Sequence, residues 1–132
     1  MPATALKAAK ASIKILYGEC DETVLASHTE ALKKAGHEVT TASSRQAVQE
    51  ELKRAAYELV ILGSSMSKDD RHHLPYMVKK AHAGTKILVM HAGTHHHEVD
   101  AAVDSSISMV LLLEKIAGLL QPSISNRLST VR

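Results

Sequence analysis

The sequence has no phenylalanine and no tryptophan, and Tyr17, Tyr57 and Tyr76 supply its only aromatic rings. Proteins that grip single-stranded nucleic acid stack bases on such rings, which this chain mostly lacks. Sixteen basic residues against fourteen acidic ones leave a formal charge of +2, and the lysines are scattered. Neither a DNA-binding stripe nor a polybasic membrane anchor can be built from them. A single cysteine, Cys20, excludes an intrachain disulfide. The longest apolar run, Met109 to Leu113, is far too short to span a bilayer, and Met1 to Lys14 holds no continuous apolar segment resembling a signal peptide. A cytoplasmic location is the default expectation. The glycine signatures of phosphate-binding loops, G-x-x-x-x-G-K and G-x-G-x-x-G, are both absent.

What remains is an aliphatic protein. Its 132 residues suit one domain, and 45% of them are apolar, chiefly Leu, Ile, Val, Met and Ala. Nine histidines make the surface charge depend on pH, since full protonation adds nine positive charges to the formal +2. The stretch from Ala56 to Ser67, AYELVILGSSMS, organises the rest. Leu59, Val60, Ile61 and Leu62 show no polar alternation, as in a central strand of a parallel sheet covered on both faces. Gly63, Ser64 and Ser65 then stand at its carboxyl end, where ligands and chemistry sit in open parallel sheets.

Taken in order, residues 1–12 read as a flexible arm. Ile13, Ile15, Leu16 and Tyr17 make a first strand, followed by an acid-bearing loop, GECDE, from Gly18 to Glu22. Thr23 to Ala35 is a helix with Val24, Leu25, His28, Ala31, Leu32 and Ala35 on one stripe, closed by Gly36. His37 to Ala42 is a second strand. Ser43 with Gln46 forms a capping-box pattern that opens a helix through about Ala55, with Ala47, Val48 and Leu52 facing inward. Ser67 caps a helix near Asp70 to Ala83, with Pro75 in its early part and Gly84 at its close. Lys86 to His91 is another doubly buried strand. His95 to Ala102 leaves room for two turns of helix, Ser105 to Ser108 for a fifth strand, and Val110 to Leu120 forms a final apolar helix. Residues 121–132 read as a polar tail. Five strands alternating with five helices predict an α/β fold over residues 13–120. It is a doubly wound, five-stranded parallel sheet in a three-layer αβα sandwich.

From about Lys14 to Leu120 the chain resembles the receiver domains of bacterial two-component response regulators, which have a flavodoxin-like fold. KILYGECDE at Lys14 is similar to the family's KILIVDDE, ELVILGSSM at Glu58 to DLVILDLMMP, KILVMHAG at Lys86 to PVIVLTA, and LLLEKIAGLL at Leu111 to the closing helix. The resemblance implies a phosphorelay signalling module. It also implies an Asp at the end of the third strand that accepts a phosphoryl group, two acids after the first strand that hold Mg²⁺, a hydroxyl residue after the fourth and a Lys near the fifth. The aligned positions here are Gly63, then Glu19 and Cys20 with Asp21 as the following acid, then His91, and Met109 in a stretch without lysine. The implied protein is therefore a degenerate, pseudo-receiver module with a vestigial phosphorylation pocket formed by Glu19, Cys20, Asp21, Gly63 and His91. Mg²⁺, which requires hard oxygen ligands, is not expected to bind well there. The space beside Gly63 is expected to be filled by neighbouring side chains such as His91, or by water. An FMN site is not expected, because GECDE would repel a phosphate.

No nucleophile and base pair suggests an enzyme. The expected function is signalling by protein–protein contact, with a signalling protein or with a second copy through the apolar last helix, and with no nucleic-acid or membrane partner. Cys20 stands among carboxylates, which oppose thiolate formation. Ser64, Ser65 and Ser67 suit loop and capping roles. An alternative reading is a metal- or ligand-responsive domain using a His-rich edge, with His72, His73, His95, His96 and His97 as candidate ligands beside His91 and Zn²⁺ as the candidate ion. Consecutive helical residues point in different directions, so solvated surface histidines are the plainer account.

Overall fold

Three apolar runs form the centre of the sheet in the computed structural model, which describes residues 12–91 and 98–120. They are β1 (Lys14–Gly18), β3 (Leu59–Leu62) and β4 (Lys86–Val89), with β2 (Glu38–Ala42) and β5 (Ala101–Ala102) at the edges. All neighbouring strands are parallel, in the order β2-β1-β3-β4-β5. Parallel pairing demands long crossovers. Among the described residues these include α1 (Glu22–Lys34), α2 (Arg45–Arg54) and α3 (Lys68–Ala81), and α4 (Met109–Leu119) follows β5.

Successive strand residues feed opposite faces, so each central strand serves two cores. Ile15, Tyr17, Leu59, Ile61, Leu88 and Met90 meet Leu25 and Leu32 of α1 and Leu112 and Ile116 of α4. Leu16, Val60, Leu62, Ile87 and Val89 meet Val48 and Leu52 of α2 and Leu74 and Val78 of α3. The three-layer sandwich follows from this division. Each such aliphatic side chain contributes about 1.5–3 kcal/mol by leaving water. Among the described residues no helix is long and apolar enough to cross a membrane.

Boundaries are set by side-chain caps. Asp21 accepts from the backbone N–H groups of Thr23 and Val24, Ser67 from Asp70, and Ser108 from Leu111. Gly36 takes φ 101° as the chain turns out of α1, a conformation that glycine adopts without strain. The second cap falls one residue later than the sequence pattern suggests: Ser44, not Ser43, accepts from Ala47 N–H. The third helix begins at Lys68 and runs through Pro75, which is buried, and its C-cap is His82, so Gly84 does not close it.

The fifth strand is the main correction. It lies at Ala101–Ala102, not at Ser105–Ser108, and displaces the helix expected through Ala102. Asp100 makes this register: its Oδ2 accepts from Ile87 N–H at 2.8 Å and from Lys79 Nζ at 3.0 Å, while Asp100 N–H donates to Ile87 O. Val103 N–H donates to Val89 O, extending the attachment. Ser105 to Ser108 instead belongs to a turn, because the Asp104 carboxylate accepts from Ser106 N–H and Oγ. The expected arm lies outside the described residues apart from Ser12, as do the tail 121–132 and the segment 92–97.

From β1 the chain crosses to β2 on one side and then returns to β3 on the other, so strand order reverses between β1 and β3. A switch of this kind opens a crevice at the carboxyl ends of the two strands. Gly18 is the partner of Leu62, and Gly63 N–H donates to Gly18 O at 2.7 Å. Residues 19 and 63 therefore emerge side by side at that crevice.

Candidate functional site at the switch between the first and third strands

Glu19 enters the crevice and is buried, with 1% of its surface exposed. Its N–H donates to Ala42 O at 3.0 Å, and its Oε2 accepts from Asp21 N–H at 2.7 Å. The carboxyl group is thereby folded back over Gly63. A Cβ placed on Gly63 would lie 1.7 Å from Glu19 Oε1 and 2.5 Å from its Cδ. The volume that a side chain at position 63 requires is thus filled by Glu19.

Of the other residues expected at the site, Cys20 and Asp21 adjoin Glu19 while His91 turns elsewhere. His91 is exposed at the end of β4 and lies near Asp104, so it does not fill the space beside Gly63. Asp104 is held below the usual carboxylate range by the two Ser106 hydrogen bonds and then by His91. The Asp21 carboxylate is committed to capping α1. Cys20 is exposed, and its thiol is pushed up by burial and by the nearby Glu19 and Asp70 carboxylates. Met109 opens α4 and packs against the core. Ser67 caps α3, and Arg71 donates to the carbonyls of Ser64 and Met66, fixing the loop after β3.

Behind Glu19 lies a cavity of about 200 Å³ lined by Tyr17, Glu19, Val24, His28, Ser64, Met90 and Ser105. Tyr17 is buried and its hydroxyl is hydrogen-bonded to His28 Nδ1 at 2.7 Å. Burial pushes the phenol well above its ordinary value, with Glu19 adding to the effect. The His28 imidazole is lowered by burial, against a smaller opposing pull from Glu19. Sequence reasoning placed His28 on the inward stripe of its helix but did not pair it with Tyr17. A phenol in a doubly buried strand requires a partner, and that requirement was the available signal. Met90 and Ser105 carried no comparable signal.

No protein-family model and no curated protein matches the sequence. Solved structures do match. The response regulator protein TrrA from Thermotoga maritima, solved in complex with Mg²⁺-BeF, aligns at 22% identity and TM-score 0.70, over 81% of this chain and 98% of its own. A CheY-like receiver domain protein from Methanospirillum hungatei aligns at 20% identity and TM-score 0.72, over 86% and 98%. The receiver domain of the hybrid histidine kinase CckA gives 19% and 0.70, over 82% and 99%. The fold is the receiver fold.

In a receiver fold the crevice holding Glu19 and Gly63 is where the resemblance places phosphoryl chemistry and Mg²⁺. The residues present do not fit that ion. Gly63 offers no oxygen from its side chain, Asp21 holds the cap of α1 through Oδ1, and Cys20 supplies a thiol. Among the described residues no three His, Cys, Asp or Glu side chains gather as a metal site. His72 and His73 are exposed on α3, while His95, His96 and His97 lie outside the described residues.

Proposed function

We propose that this chain is a degenerate receiver-like signalling module that acts by protein–protein contact and is not switched by phosphorylation of an aspartate. One observation carries the reading: the Glu19 carboxyl group occupies the volume of the side chain that Gly63 lacks. Glu19 is not offered as a substitute acceptor, because its Oε2 is tied to Asp21 N–H and, among the described residues, no three His, Cys, Asp or Glu side chains gather as a metal site around it. A phosphoryl group there would add negative charge beside the Glu19 carboxyl group. The partner is a signalling protein or a second copy of the chain, met through the last helix, where Val110 and Leu111 are exposed. A cytoplasmic location fits such a role. No enzymatic activity, nucleic-acid contact or membrane contact is proposed.

Incubation with acetyl phosphate and Mg²⁺ followed by intact-mass measurement tests the central claim. The mass should stay unchanged, and a labile phosphoryl adduct would refute it. The metal-responsive alternative requires a stoichiometric Zn²⁺ site in calorimetry that is weakened by substitutions at His91 and His95. No arrangement among the described residues favours it.

A further inference from the structure

We propose that the cavity behind Glu19 is a binding site for a small alkylammonium ligand. Its wall combines a carboxyl group, a phenol–imidazole pair and two serines with the apolar side chains of Val24 and Met90. Among the described residues, no lysine or arginine is part of that wall. Among the described residues, no basic side chain forms an ion pair with Glu19. A carboxylate taken out of water without a counter-charge is costly, and the cost falls when a donor-bearing cation is brought to it. Oε2 already accepts from Asp21 N–H, and Oε1 lies on the side toward Gly63. The Tyr17 hydroxyl is bonded to His28 Nδ1, so the serine hydroxyls, the Glu19 carboxyl group and His28 Nε2 are the groups left to orient a guest. At about 30 Å³ per water molecule, the cavity holds about six or seven waters, or one ligand with a short alkyl chain. The ammonium group meets Glu19, Ser64 and Ser105, and the chain lies against Val24 and Met90.

Ligand occupancy would hold Glu19 and the loops after β1 and β3 in one arrangement, giving the module an input other than phosphate. The inference rests on the reading that Glu19 is not a phosphoryl acceptor, yet the two fail separately. An adduct in the mass measurement removes that reading, while the ligand site stands or falls on titration alone.

Titration of the uniformly ¹⁵N-labelled full chain with n-butylammonium, and in parallel with n-butanol, tests the site. Saturable amide shifts centred on Glu19, Ser64 and Ser105 are expected for the ammonium compound. Glu19→Gln should weaken binding by about ten- to a hundredfold, the ratio expected for loss of a charged hydrogen bond. If that variant fails to fold, Ser105→Met, which fills the cavity from an exposed rim position, should abolish the shifts, and Cys20→Ser should leave them intact. Absence of saturable shifts would overturn the site. Equal binding of n-butanol, or equal binding by Glu19→Gln, would overturn the ligand class.

Discussion

Replacing Gly63 by alanine puts the contact with Glu19 to a direct test. The added methyl carbon would lie 1.7 Å from Oε1, 2.5 Å from Cδ and 2.9 Å from Cβ of Glu19. The first two atoms can swing away, but only by breaking the 2.7 Å bond from Asp21 N–H, a charged hydrogen bond worth about 1.5–3 kcal/mol. The third is fixed to the backbone, so the ends of β1 and β3 must also part, with an overpacking cost of about 1–3 kcal/mol. Together these predict a loss of about 2.5–6 kcal/mol, nearer the lower end where the displaced carboxylate regains water. Domains of this size have only about 5–15 kcal/mol in hand. Urea denaturation followed by circular dichroism, run on the parent, Gly63→Ala, Glu19→Ala and the double variant, reads the effect. Removing the carboxyl group first should relieve most of the clash, so the two changes should be coupled by about 1 kcal/mol or more. A Gly63→Ala protein within about 0.5 kcal/mol of the parent, or strict additivity in the cycle, would refute the packing argument.

Other consequences can be measured on the same protein. Gly63→Asp with Glu19 in place should take up no phosphoryl group from acetyl phosphate, since the new carboxyl group meets the old one; a labile adduct in the intact mass would count against this. Tyr17→Phe removes the hydroxyl bound to His28 and should cost about 1 kcal/mol in urea denaturation. Asp100→Ala strips Ile87 N–H of its acceptor and should cost about 1–3 kcal/mol, with amide exchange speeding first at β5. His28 and His37 are both lowered by burial from the ordinary 6.5, against smaller opposing effects of Glu19 and Glu58 respectively. On acidification the unfolded chain therefore takes up protons first, and stability should fall as pH drops through 6.5 toward the folded-state values. Urea midpoints above and below that pH should differ less in a His28→Gln, His37→Gln variant.

The layers of the fold were legible because both-face burial leaves an unmistakable trace. LVIL and KILV cannot serve an amphipathic surface, and the cap at Ser67 is short-range chemistry. β5 was illegible for the opposite reason. Two alanines have little strand preference, and their position is set by Asp100, whose partners Ile87 and Lys79 are far away in sequence. The better-looking segment with Ile107 lost to a local Asp104 turn.

The crevice was half legible. Position 63 was correctly located at a strand end and expected to be covered by a neighbouring side chain or by water, but the side chain named, His91, follows the neighbouring strand β4, and Glu19 is the one that covers it. Yet the register already contains the answer. With Gly18 opposite Leu62 in adjacent parallel strands, the next pair is residue 19 with residue 63, so the side chain best placed to cover a glycine there is that of Glu19. A residue-by-residue comparison scores Glu19 as a conservative acid and Gly63 as a loss. Sterically the two form one arrangement, because a long acid folded back at position 19 needs a glycine at 63. The glycine is then a requirement of the occupied crevice, and restoring a carboxylate at 63 without removing the one at 19 creates a collision instead of a receiver site.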